Sequence, residues 1–175
     1  MNARMPTPEG VIRNPVTTAQ IAVSLMAGFS LNLLPWHGTA LLARPDFLLV
    51  VVLYWCMEEP RRVGSTSAFL LGLLMDVAES SLTGQNALVY SLSAFLAITF
   101  RLRILRFTWP LQALHIFPIL LLGQGLFVLQ QLILDAPFPG AAYFFRSLLG
   151  MVLWPVLCFI LELPRRRQLK DELQG

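Results

Sequence analysis

Residues 44–76 leave this chain few ways to fold. Two short apolar runs, 47–57 and 63–75, flank the charged, proline-containing break Glu58-Glu59-Pro60-Arg61-Arg62. The far ends of the runs carry Arg44-Pro45-Asp46 and Asp76. Folded as an antiparallel pair of membrane helices, the runs bring Arg44, Asp46 and Asp76 to one depth, opposite the break. Ions in or near hydrocarbon are costly, so a site that holds them pairs them or uses them. The hairpin is therefore where function is to be sought.

The membrane setting follows from charge. Only 13% of the chain is charged and 56% is hydrophobic, whereas soluble domains carry about 25% charged residues. A soluble globule of 175 residues could not cover its surface with so few. At ~20 residues per span, about six spans use most of the chain, giving one transmembrane domain over 1–175. The polar segments 1–16 and 164–175 are its N-terminal segment and tail, read as cytoplasmic. No clear small-residue cleavage site follows residues 1–16, so the first span is read as an uncleaved insertion signal. The net charge of +3 does not indicate nucleic acid, because the arginines sit in short loops where they report orientation. Of the 13 Lys and Arg residues, all but Arg44 and Arg146 fall at the N-terminus, in loops 58–62 and 101–108, or in the tail. That asymmetry puts both termini of a multi-pass membrane protein in the cytoplasm. It turns Arg44, Asp46 and Asp76 outward. Cys56 and Cys158 lie inside apolar runs and read as packing residues, not as a disulfide or metal pair.

The expected spans are 17–35, a second ending at residue 57, 63–79, 86–100, 109–134 and 141–163. The first contains Gln20, Ser24, Ser30 and Asn32, and a span this polar packs against protein on at least one side. The second is the awkward one. Residues 47–57 make about 16 Å of helix, too little for a ~30 Å core. Beginning near Thr39 supplies the length, with a bend at Pro45. Trp36-His37-Gly38-Thr39 forms an interfacial loop, Ser80–Gly84 a second connection, and Asp135–Gly140 a turn.

Gly64, Ala68, Gly72 and Asp76 recur every four residues and share one helix face. Small residues at this spacing admit another helix backbone closely. The partner helix is either in the same bundle or on another protein, and Asp76 at the end of the stripe needs a counterpart. Arg44 is the candidate, with Asp46 close by. The alternative is a polar contact for a partner or substrate. Gln124 and Gln131, seven apart, share a face and suit bonds between helices. Gly123 and Gly125 beside Gln124 suit close packing. His115 reads as a packed side chain with one hydrogen bond. No histidine stands where it would activate Ser65 or Ser67, and metal spacing and a complete dinucleotide motif are both missing. Catalysis and cofactor binding therefore have no candidate residues.

The order Arg44-Pro45-Asp46, Tyr54-Trp55, Pro60-Arg61-Arg62-Val63-Gly64 and Gly72-Leu73-Leu74-Met75-Asp76 resembles the bacterial rod shape-determining MreD family. So does Leu82-Thr83-Gly84-Gln85-Asn86-Ala87-Leu88. The detailed match covers residues 44–91; length, hydropathy and the basic tail agree elsewhere. The resemblance implies a non-enzymatic scaffold or regulator of the elongation machinery (elongasome) that supports lateral peptidoglycan synthesis. Its implied partners are MreC, MreB, RodA and a class B penicillin-binding protein. It also implies an all-α bundle similar to the six-helix substrate-binding subunits of energy-coupling-factor transporters. A small-molecule, vitamin-type binding subunit is thus the alternative function.

Overall fold

The helix that looked too short to cross a membrane is buried in the bundle over ten consecutive residues. In the computed structural model, which describes residues 17–35, 44–79, 84–135, 138 and 140–174, it is α2 (Phe47–Glu58). Every residue from Leu48 to Met57 is buried. A helix that is apolar all round belongs in the middle of a protein. Here α2 packs against α1 (Thr18–Leu33), α4 (Gln85–Ile104) and α6 (Phe145–Gln174). Wrapped by these neighbours, its ~18 Å length is enclosed by protein along Leu48–Met57. Helix α3 (Ser65–Ala78) and helix α5 (Trp109–Ile133) complete the six among the described residues, with a 3-10 turn, Ala141–Phe144, leading into α6. No strand occurs among the described residues.

The chain winds up and down. Consecutive helices α3 and α4, α4 and α5, and α5 and α6 all pack on each other, as do α1 and α2. Helices α4, α5 and the Phe145–Leu163 part of α6 are each long and apolar enough to cross a membrane. Their outer faces show Leu88, Phe95, Leu102, Leu122, Ile133 and Val152, an apolar surface that suits lipid contact and would be a liability in water. The all-helical membrane bundle expected from the sequence is therefore the observed fold.

Several boundaries differ from expectation. Helix α2 starts at Phe47, and Pro45 lies outside it, one residue before the cap Asp46. The expected lead-in from Thr39, on which the bend at Pro45 depends, lies outside the described residues. Residues 36–43, which include the Trp36–Thr39 loop and the expected lead-in, lie outside the described set, as do residues 80–83, 136, 137 and 139. Helix α6 continues through Pro164 to Gln174 instead of ending at residue 163.

Polar residues of the first span behave as anticipated. Gln20 Nε2 donates to the Leu161 carbonyl at 2.9 Å, and Trp55 Nε1 donates to Ser24 Oγ at 2.8 Å. Both tie α1 to its neighbours. At the other end of α2, Arg101 Nε donates to the Met57 carbonyl at 3.1 Å. A cation at a helix C-terminus is favourable, so this arginine does more than mark orientation. Trp154, fully buried, reaches Gln112 Oε1 at 3.4 Å.

Candidate functional site

The polar end of the bundle is built from the ends of α1, α2, α3 and α4. Asp46 is the N-cap of α2, its Oδ1 accepting from the Leu49 N–H at 3.0 Å. Two more donors converge on the same carboxylate. Tyr90 Oη lies 2.7 Å from each oxygen, and Asn32 Nδ2 lies 2.7 Å from Oδ1. Asn32 in turn accepts the Phe47 N–H on Oδ1 at 2.9 Å. The first amides of a helix have no partner within it, and in a bundle that excludes water each orphan is expensive. Asn32 and Asp46 together satisfy two of them.

Asp76 does the same work for a different helix. It is 1% exposed. Its carboxylate accepts from the backbone N–H of Gly84 at 2.8 Å, of Asn86 at 2.8 Å and of Ala87 at 3.3 Å. These are the opening amides of α4. A carboxylate at a helix N-terminus also gains from the helix dipole. Gly84 makes the approach possible: its φ of 105° is a left-handed conformation that favours glycine.

The expected pairing of Arg44 with Asp76 or Asp46 is therefore corrected. Arg44 instead pairs with Glu79, Nη2 to Oε1 at 2.5 Å, and donates from Nη1 to the Asn32 carbonyl at 2.6 Å. Glu79, one turn past Asp76, was read only as the end of a span. The two aspartates need no cation because neutral donors already surround them. Asn32, Glu79 and Tyr90 complete the cluster, and none has a motif of its own. The one available hint was that Asn32 is polar within an apolar run.

The small-residue stripe is also accounted for within the chain. Ala68, Gly72 and Asp76 are buried. A Cβ built on Gly72 would stand 2.5 Å from Ala87 Cα and 2.7 Å from both Ala87 N and Asn86 O. The face is thus closed by the backbone of α4, and is not free for another protein. Gly64, at the N-cap of α3, is half-buried, and Ser67 Oγ accepts its N–H at 2.9 Å. The motif segments 72–76 and 84–87 are two sides of one contact.

On α5, Gly123 packs tightly, its added Cβ meeting Ser93 Oγ at 2.9 Å, while Gly125 faces nothing within 4 Å. Gln124 does not bridge helices: its Oε1 is buried without a hydrogen-bond partner. Gln131 is half-buried on the same helix. His115 stacks on Phe107 with ring centroids 4.7 Å apart and shares a hydrogen bond with the Leu111 carbonyl at 2.8 Å. Among the described residues, no group of three His, Cys, Asp or Glu side chains is placed to hold a metal.

What remains open at this end is a polar cavity of about 60 Å³. Arg44, Asp46, Glu79, Gln124, Tyr143 and Arg146 are in its lining. The class this defines is an all-helical membrane protein whose carboxylates cap helices around a small polar recess. The family model for the rod shape-determining protein MreD matches residues 16–165. Among curated proteins, the Rod shape-determining protein MreD of Haemophilus influenzae is 30% identical over 145 residues, covering 79% of this chain and 86% of that protein. No solved structure matches the chain. The chain belongs to the MreD family of rod shape-determining membrane proteins.

Proposed function

We propose that this chain is a non-enzymatic, multi-pass inner-membrane component of the rod-shape machinery. It supports lateral cell-wall synthesis by binding MreC and, directly or through MreC, MreB, RodA and a class B penicillin-binding protein. Both termini face the cytoplasm, and the polar end of the bundle faces outward. The observation that carries this reading is the use made of the ionisable residues. Asp46 and Asp76 are held by neutral donors and backbone amides, and Arg44 by Glu79. Groups engaged in this way position helices and are not poised to move protons or attack a substrate.

A vitamin-binding transporter subunit is the second reading, favoured by the polar cavity at Arg44 and Asp46. The recess of about 60 Å³ is small beside the ~300–1,000 Å³ of ordinary small-molecule sites. The wider groove of about 400 Å³ beside Val23, Gly28 and Leu157 is almost wholly apolar, so neither space favours a polar vitamin over the scaffold reading.

Deleting the chain from its own bacterium is expected to turn rods into rounded cells, with shape restored by a plasmid copy. Microscopy with labelling of nascent peptidoglycan checks this. Unchanged rods with normal lateral wall synthesis would remove the reading.

A further inference from the structure

Three buried polar atoms without hydrogen-bond partners, Arg44 Nε, Arg146 Nε and Gln124 Oε1, belong to residues that line the same cavity. Buried polar groups are nearly always satisfied, so each exception needs an explanation, such as water or an ion. Three around one recess point to a ligand. Arg146 is central among them. Its guanidinium carbon lies 4.8 Å from the Tyr143 ring centroid, which orients the plane by a cation–π contact. Among the described residues, no carboxylate lies within ion-pair distance of it. Arg44 keeps only Nε for the cavity, because its terminal nitrogens go to Glu79 and Asn32. The Gln124 amide can turn to offer its NH₂ group.

Charge and size narrow the ligand. Asp46 also lines the recess; its negative charge is held by hydrogen bonds from Asn32, Leu49 and Tyr90 and not by an ion pair, and its oxygens are already occupied by these donors. The Arg44–Glu79 pair is neutral. Arg146 is left as the cation with no carboxylate within ion-pair distance among the described residues. At ~10–15 Å³ per water-sized position, a cavity of about 60 Å³ holds roughly four to six such positions. One phosphate group, a phosphorus and four oxygens, fills that space. Its oxygens also match the planar fork of an arginine.

We infer that this recess binds one phosphate group, held by Arg146 and the Gln124 amide with Arg44 Nε as a third donor. The phosphate is either that of a lipid headgroup or a free ion. The inference stands independently of which proteins the chain assembles with.

The test uses the whole chain in dodecyl maltoside, which contains no phosphate, in a phosphate-free buffer. Thermal unfolding is followed as inorganic phosphate or dihexanoyl-phosphatidylglycerol is added, with chloride at equal ionic strength as the control. A ligand that binds the folded state raises the midpoint saturably. A rise in the phosphate arm identifies the free ion; a rise in the lipid arm alone identifies the headgroup. Arg146→Gln is expected to raise the half-saturating concentration about tenfold, the loss of one charge-assisted hydrogen bond. Gln124→Leu, which leaves the arginine in place, is expected to weaken binding in the same arm and decides the matter if Arg146→Gln does not fold. No saturable rise in either arm would overturn the inference. So would equal rises in the wild type and both variants.

Discussion

Gly72→Ala is expected to destabilise the protein by about 3 kcal/mol or more, the upper end of overpacking costs. The usual remedy for an added methyl is a small rotation of a neighbouring side chain. Here the nearest atoms are Ala87 Cα at 2.5 Å, with Ala87 N and Asn86 O at 2.7 Å, so two helix backbones must separate. Separation also pulls Asp76 from the amides of Asn86 and Ala87. Gly125→Ala is the internal control. Its new methyl meets nothing within 4 Å, and exchanging glycine for alanine inside a helix is worth up to about 1 kcal/mol. Thermal unfolding in detergent should place Gly72→Ala far below the wild type and Gly125→Ala at or above it. Equal melting temperatures for the two would refute the close crossing of α3 and α4. A bulky Gly72 variant that loses a partner would accordingly be reporting misfolding, not a damaged interface.

Asp76→Ala carries the second large expected effect. It strips acceptors from three backbone amides at once, in a position 1% exposed to solvent. Each buried donor left without a partner costs about 1–3 kcal/mol, so a loss of about 3 kcal/mol or more is expected. Asp76→Asn should fall between the two, since one oxygen remains to accept while the favourable charge at the helix start is gone. Glu79→Gln should be mild, about 1 kcal/mol or less, because that ion pair is partly open to solvent. Hydrogen exchange at the Gly84, Asn86 and Ala87 amides gives the site-specific readout. Fast exchange in Asp76→Ala, with slow exchange in Glu79→Gln, is the expected pattern. The reverse order would make the ion pair, not the cap, the lock on this end of the bundle.

The contrast between these two residues explains what the sequence could and could not reveal. Apolar runs are local, so the helices were legible within a few residues, and the polar face of α1 correctly implied protein contact through Gln20, Ser24 and Asn32. The stripe at Gly64, Ala68 and Gly72 was legible as a close-packing surface because spacing alone defines a helix face. What it packs against was not, because Ala87 is an ordinary residue until the chain returns. Asp76 was paired with Arg44 by opposite charge. Its real partners are backbone amides, which every residue has and which leave no trace in sequence. Glu79 took the arginine because it lies one turn further along α3, a matter of three-dimensional reach. That α2 is enclosed by α1, α4 and α6 was not legible, because enclosure is a property of the assembled bundle.

The same facts bear on function. The carboxylates of Asp46 and Asp76 hold the ends of α2 and α4 in register. The proposed scaffold role then rests on which proteins the bundle holds. The most direct measurement is affinity purification of the tagged chain from its own membranes, with the captured proteins identified by mass spectrometry. The account predicts MreC, with RodA and a class B penicillin-binding protein accompanying it. Capture of a transporter's ATP-hydrolysing module, with MreC absent, would contradict it.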